Sequence, residues 1–319
     1  MQNNQIWVWG YVLETVPGPM MFVNGQTECS LETAADYLGA DNVIYMDSCT
    51  NRANLDDRLF KYVAKYKQVI CGLDHADYVD CARRVSEFSL THPNVIGALI
   101  DDFREVTGPS KDMTPDQLLA VREALRSVNP NLKLYIVWYH MRLELEDLLA
   151  FKEGFDGISL WCWNSTDHFW KALYSERDLA RLNYLMPDKE ILQGQFLHAF
   201  GDGDVAQPMD QLKLQCSRIG EQLRAGAIEG WVVLQNGYFC REDHHEQVQY
   251  LKSYFDWFVN TRTRRDTTGS EVRDVDSMLY HDAVLRTAAL DGPPGHPAWP
   301  PGFRPTAGRR RRRPTRRAF

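Results

Sequence analysis

Long apolar runs are missing from this chain. No stretch approaches the roughly 20 residues needed to cross a bilayer, so no membrane partner is expected. The N-terminus, MQNNQIWVWGYV, has neither a basic opening nor a long apolar segment. No secretory signal is therefore expected in this chain, and the cytoplasm is the default compartment. The 7 cysteines are scattered and form no CxxC pair, which excludes a zinc ribbon. They read as small buried hydrophobes in a reducing compartment. No GxGxxG and no P-loop occurs, and few lysines or arginines fall near expected strand ends. Phosphate-bearing ligands are disfavoured, and neither a cofactor nor a metal is expected.

Aromatic residues are plentiful, with 9 Trp, 14 Tyr and 14 Phe in 319 residues. Most aromatics fill cores, but several here lie beside polar residues at the ends of apolar runs. Charge is unevenly spread. From Arg262 onward 13 arginines stand against 6 acids, a net of +7, so the overall −7 leaves −14 on residues 1–261. An acidic body argues against nucleic acid as the main ligand. The segment 262–319 is rich in Pro, Gly and Arg, including GRRRRRPTRRAF, and cannot build a core. It is expected to be a disordered tail. It is the one place where a nucleic-acid contact is conceivable.

Within residues 1–261 eight short apolar runs recur: 6–12, 43–46, 68–73, 96–100, 133–138, 157–161, 190–196 and 230–234. Each has strand length, and most are rich in Val, Ile and aromatics. Helical patterns lie between them at 55–66, 76–88, 114–128, 208–223 and 247–258. Thr114-Pro115 reads as a helix cap followed by proline at the first helical position. Eight buried strands alternating with helices over about 250 residues predict a (β/α)8 TIM barrel, α/β in class. A doubly wound open sheet is the competing fold, and the absence of its glycine-rich turn weighs against it.

In such a barrel the working face is at the C-terminal strand ends. The fourth run, GALIDDF, ends there on Asp101 and Asp102. Side-chain alternation puts one of them in the mouth. An inward Ala98 would select Asp102, but parity from Gly97 leaves the choice open. Two close carboxylates repel, which raises one pKa and suits a general acid. Other strand ends offer Trp9; Asp47; Asp74 and His75; Trp138 and His140; Trp161, Trp163 and Asn164; Gln193, Gln195 and His198; Gln235 and Asn236. Indoles stack on the apolar faces of sugar rings, and acids, amides and imidazoles bind hydroxyls. The set fits a carbohydrate as substrate.

With GALIDDF, GISLWCWN and EGWVVLQNGYF, residues 5–260 resemble the (β/α)8 glycoside-hydrolase-like proteins of bacteria. The resemblance lies in architecture and strand-end chemistry and points to no single family. It implies a general acid after strand four, matched by Asp101 or Asp102, and often a second carboxylate after strand seven. Strand seven departs from that pattern, ending in Gln193, Gln195 and His198. Asp202 and Asp204 are the nearest acids, and Asp47 and Asp74 are the other candidates for the second catalytic carboxylate. Two further readings stand beside the hydrolase. One is a metal-dependent barrel hydrolase or isomerase using Asp47, Asp74, His75, Asp102 and His140, with His244-His245 as a weak surface signal. The other is a carbohydrate-binding barrel without catalysis.

Overall fold

The computed structural model describes residues 5–12, 30–46, 55–73, 77–105, 108, 110–140, 145–163, 167–200, 205–235 and 238–266. Asp47, Asp74, His75, Asn164, Asp202, Asp204, Asn236 and residues 267–319 lie outside the described residues.

Eight strands form one closed parallel barrel in chain order. They are β1 (Ile6–Gly10), β2 (Asn42–Tyr45), β3 (Gln68–Gly72), β4 (Val95–Ile100), β5 (Lys133–Tyr139), β6 (Gly157–Trp161), β7 (Glu190–Gln195) and β8 (Gly230–Leu234). Around them run α1 (Leu31–Leu38), α2 (Asp57–Phe60), α3 (Tyr78–Phe88), α4 (Pro115–Leu125), α5 (Leu145–Ala150), α6 (Asp167–Lys171), α7 (Tyr174–Leu185), α8 (Met209–Ala225) and α9 (His245–Asp266). Burial on both faces explains why the strands read as continuous apolar runs rather than alternating ones.

The helices begin where local chemistry satisfies their free N–H groups. Thr114 and Gln117 form a reciprocal capping box at the start of α4, with Pro115 inside the first turn. Asp77 caps α3, and Gly226 closes α8 in the left-handed conformation. The expected helix over 55–66 shrinks to the single turn of α2, capped by Asp56. Its apolar positions still bury Leu59, Phe60, Val63 and Tyr66. Tyr66 is committed to α1, donating its hydroxyl to Asp36 at 2.9 Å.

Strand register separates the inside of the barrel from the helix layer. Trp9 and Trp161 meet across the lumen with ring centroids 5.4 Å apart. Trp231 instead packs on Phe255 of α9, with centroids at 4.8 Å. Neighbouring parallel strands share facing, so register carries these anchors round the barrel. Leu99 pairs with Tyr135, Tyr135 with Gly157, and Tyr139 with Trp161, all on the inner face. Gly194 pairs with Val232 on the same face. The lumen is filled by rings. A Cβ on Gly194 would sit 2.1 Å from the Trp161 indole, and one on Gly157 would sit 2.4 Å from the Tyr135 ring. These two glycines make the space that the aromatics occupy.

Candidate active site

Register settles the facing at β4. Gly97 and Leu99 pair with inward Lys133 and Tyr135. Asp101 therefore continues the inner row, while Ala98 and Ile100 face the helices. The strand then stops alternating. Asp102 has φ 43° and Arg104 has φ 58°, both in the left-handed region. Aspartate tolerates that region better than most residues, at a cost of about 1–3 kcal/mol when it is imposed. The turn brings Asp102 back toward the inner face, where its Oδ1 accepts the Tyr139 hydroxyl at 2.6 Å.

The turn is held from several sides. Ser110 Oγ donates to the Asp102 carbonyl at 3.2 Å and accepts from the Arg104 N–H at 2.9 Å. The Glu105 N–H also donates to the Asp102 carbonyl, at 3.1 Å. Phe103 is buried against Trp138 and Phe151, with ring centroids at 6.1 and 5.3 Å. A strained turn persists when its surroundings over-determine it, and such turns cluster at functional sites.

The electrostatics of the pair are unbalanced. The Asp102 N–H donates to Asp101 Oδ1 at 2.8 Å, and among the described residues no cation pairs with either carboxylate. Burial, and then repulsion from Asp102, pushes Asp101 up to about 7, against a smaller downward pull from that N–H. Burial and the charges of Asp102 and Asp101 also push the Tyr139 hydroxyl well above its ordinary value, so it stays a donor. Near neutral pH the Asp101 carboxyl is thus poised between its acid and carboxylate forms.

An aromatic cluster adjoins the pair. Trp163 meets Tyr139 edge-on at 6.0 Å and stacks on Phe200 at 4.4 Å. Phe196, the inward residue beyond β7, bridges Trp163 at 5.9 Å and Trp161 at 4.6 Å. Trp163 is 37% exposed, whereas the deeper Trp161 and Trp9 are buried. The Trp9 Nε1–H is buried and finds no partner among the described residues.

Of the expected site residues, the mouth brings together Asp101, Asp102, Trp163, Trp161 and Trp9. Trp138, His140, Gln193, Gln195 and Gln235 face the helix layer, because their strand parity is opposite. Trp138 pairs with outward Leu160 and packs on Phe103. Gln193 and Gln195 pair with outward Trp231 and Val233. Gln195 accepts the Trp231 Nε1–H at 2.9 Å and donates to Cys216 of α8 at 3.4 Å. Gln235 continues the outward parity of Trp231 and is buried beside Gly10. His140 lies between Asp178 and Gln193, each at 3.2 Å. His198 is buried and stacked on Tyr238 at 4.8 Å, with Nδ1 3.1 Å from His244 Nε2. His244, expected on the helix surface, is wholly buried and also contacts Asp243 at 2.8 Å. Ser110, Phe196 and Phe200 join the site without having been singled out. Tyr139, which stands between Trp138 and His140 at the end of strand five, shares the inner parity of Leu99 and Asp101.

No protein-family model matches the chain, and no curated protein matches it by sequence. Its fold is similar to solved structures of glycoside hydrolases. A glucosidase from Croceicoccus marinus superposes with TM-score 0.55 at 12% identity, over 76% of this chain and 66% of that one. A GH18 chitinase from Pseudoalteromonas aurantia gives TM-score 0.51 at 11% identity, over 76% of this chain and 99% of that one. A β-D-glucuronidase from Dictyoglomus thermophilum gives 0.48 at 14%, over 70% and 46%. The chain thus spans just under two thirds of the glucosidase and under half of the glucuronidase. At these identities the likeness establishes the barrel fold.

Proposed function

We propose that the chain is a glycoside hydrolase acting on an oligo- or polysaccharide at the C-terminal mouth of the barrel. The observation that carries this reading is Asp101. It is an inward carboxyl at the end of β4, pushed up to about 7 beside a second carboxylate. A group protonated near neutral pH can give its proton to the glycosidic oxygen as the anomeric carbon–oxygen bond breaks. Asp102, oriented by Tyr139, stabilises the positive charge developing on the sugar. Asp47 or Asp74 activates the water that adds at the anomeric carbon and takes up its proton. Trp163 provides the stacking face. The barrel fold shared with a glucosidase and a chitinase supports the reading as analogy.

A second reading has its own observation. At the mouth, the inward residue just beyond strand seven is Phe196 rather than a carboxylate, which favours a carbohydrate-binding barrel without turnover. The metal-dependent reading loses His140 as a ligand, since that ring faces the helix layer between Asp178 and Gln193.

The test is a mass-spectrometric hydrolysis screen over mixed oligosaccharides and polysaccharides. Wild type is compared with Asp101→Asn and Asp102→Asn, with and without EDTA. Cleavage that survives EDTA and is lost in Asp101→Asn is the expected outcome. Glycans that shift Tm without being cleaved would establish the binding barrel, and cleavage abolished by EDTA would establish the metal enzyme.

A further inference from the structure

Gln193 constrains its neighbours more tightly than an amide usually does. Its Nε2 donates to the Leu160 carbonyl at 2.9 Å and to the Gly194 carbonyl at 3.1 Å. A flipped amide would set Oε1 against both carbonyls, so the partners fix its orientation. Oε1 therefore accepts, and the group 3.2 Å away is His140 Nε2. That nitrogen must carry a proton.

The other ring nitrogen faces α7. His140 Nδ1 lies 3.2 Å from Asp178 Oδ2, and Arg177 donates to Asp178 Oδ1 at 2.9 and 3.2 Å. Burial raises the Asp178 carboxyl, but the bonds from His140 and Arg177 outweigh it and hold the group below its ordinary value. An ionised carboxylate only accepts, so Nδ1 carries a proton too. Phe169 of α6 closes the ring edge-on at 5.0 Å. Among the described residues, Asp178 and Arg177 are the charged groups that face this network.

We propose that His140 is a buried imidazolium and the positioning residue that holds Tyr139 against Asp102. His140 directly follows Tyr139 at the end of β5. Its two charge-assisted bonds tie that end to α7 on one side and, across β6, to β7 on the other. Tyr139 is thereby fixed at its backbone, and its hydroxyl meets the left-handed turn at Asp102. The histidine is a strut behind the mouth rather than a ligand in it. The catalytic consequence rests on the hydrolase reading, but the charge state and the hydroxyl bond do not.

The experiment is side-chain NMR on 15N-histidine-labelled, tyrosine-labelled full-length protein at pH 7. Both His140 nitrogens are expected to be protonated, and the Tyr139 hydroxyl proton to be protected from exchange. In Asp178→Asn, Tyr139 hydroxyl exchange is expected to quicken roughly tenfold. His140→Asn serves as the second variant and should show the same faster exchange. If the hydrolase is active, kcat should fall roughly tenfold to a hundredfold in these variants with KM little changed. A neutral His140 in wild type overturns the proposal. So does an unchanged Tyr139 hydroxyl in both variants. Absence of hydrolysis in wild type, with the NMR signatures present, leaves the strut standing and removes only the hydrolase reading.

Discussion

Tyr135 and Tyr139 stand on the same inner face of β5, one near the floor of the barrel and one at its mouth. Each donates its hydroxyl to a carboxylate: Tyr135 to Glu190 at 2.5 Å, Tyr139 to Asp102 at 2.6 Å. The difference lies in the third partner. At the floor it is Lys133, whose ammonium pairs with Glu190. At the mouth it is Asp101, a second carboxyl. The floor is balanced in charge and closes the barrel. The mouth is unbalanced, and burial and the Asp102 charge push Asp101 up to about 7. A barrel in which floor residues serve stability and mouth residues serve chemistry should be built this way.

The contrast is broken most strongly at Asp101. Asp101→Asn should lower hydrolysis by roughly a hundredfold to ten-thousandfold, since it removes the proposed proton donor. The same change should raise Tm at pH 7, because it removes the cost of holding a carboxyl whose pKa burial has raised. Calorimetry beside a hydrolysis assay checks both. A loss of activity accompanied by a fall in Tm would mean that Asp101 is structural.

Tyr139→Phe sharpens the comparison. Without its donor, Asp102 loses orientation, and kcat should drop about tenfold to a hundredfold with a small effect on Tm. Tyr135→Phe is the matched control at the floor. It should cost about 1 kcal/mol by urea unfolding, the value of one hydrogen bond, and leave hydrolysis unchanged. The Lys133–Glu190 pair itself is partly exposed, so its removal should cost less than about 1 kcal/mol.

The contrast also shows in the pH dependence of stability. Asp101 is raised in the folded state from an ordinary 3.8 to about 7. Between those values the unfolded chain has lost the proton and the folded chain still binds it, so this group makes stability fall as pH rises. Above about 7 the loss is complete. Relative to Asp101→Asn, wild-type Tm should therefore decline between pH 4 and 7, and level off beyond, in a thermal series.

Much of the fold was legible. Eight apolar runs separated by helical patterns name the barrel, and β6 and β8 keep their expected bounds, Gly157–Trp161 and Gly230–Leu234. The Asp101-Asp102 pair falls at the expected strand end. Facing was not legible, because strands buried on both sides carry no polar alternation. Trp138, Gln193, Gln195 and Gln235 look like mouth residues by chain position, yet parity turns them to the helices. The glycines held the missing signal: Gly157 and Gly194 mark the inner face because only there must a ring be admitted. The left-handed turn at Asp102 had no sequence signature, since it depends on Ser110, Phe103 and Tyr139 converging from elsewhere. His244 was misplaced for the same reason, its partner His198 lying 46 residues away in sequence.

The central claim is that the mouth raises a half-buried acid, Asp101, to a near-neutral pKa. A 13C-carboxyl NMR titration of aspartate-labelled protein, assigned through Asp101→Asn, measures this without a substrate. The account predicts that the Asp101 carbon titrates near pH 7, about three units above an ordinary aspartate. An Asp101 carbon that titrates near pH 4 would contradict it and remove the proposed general acid.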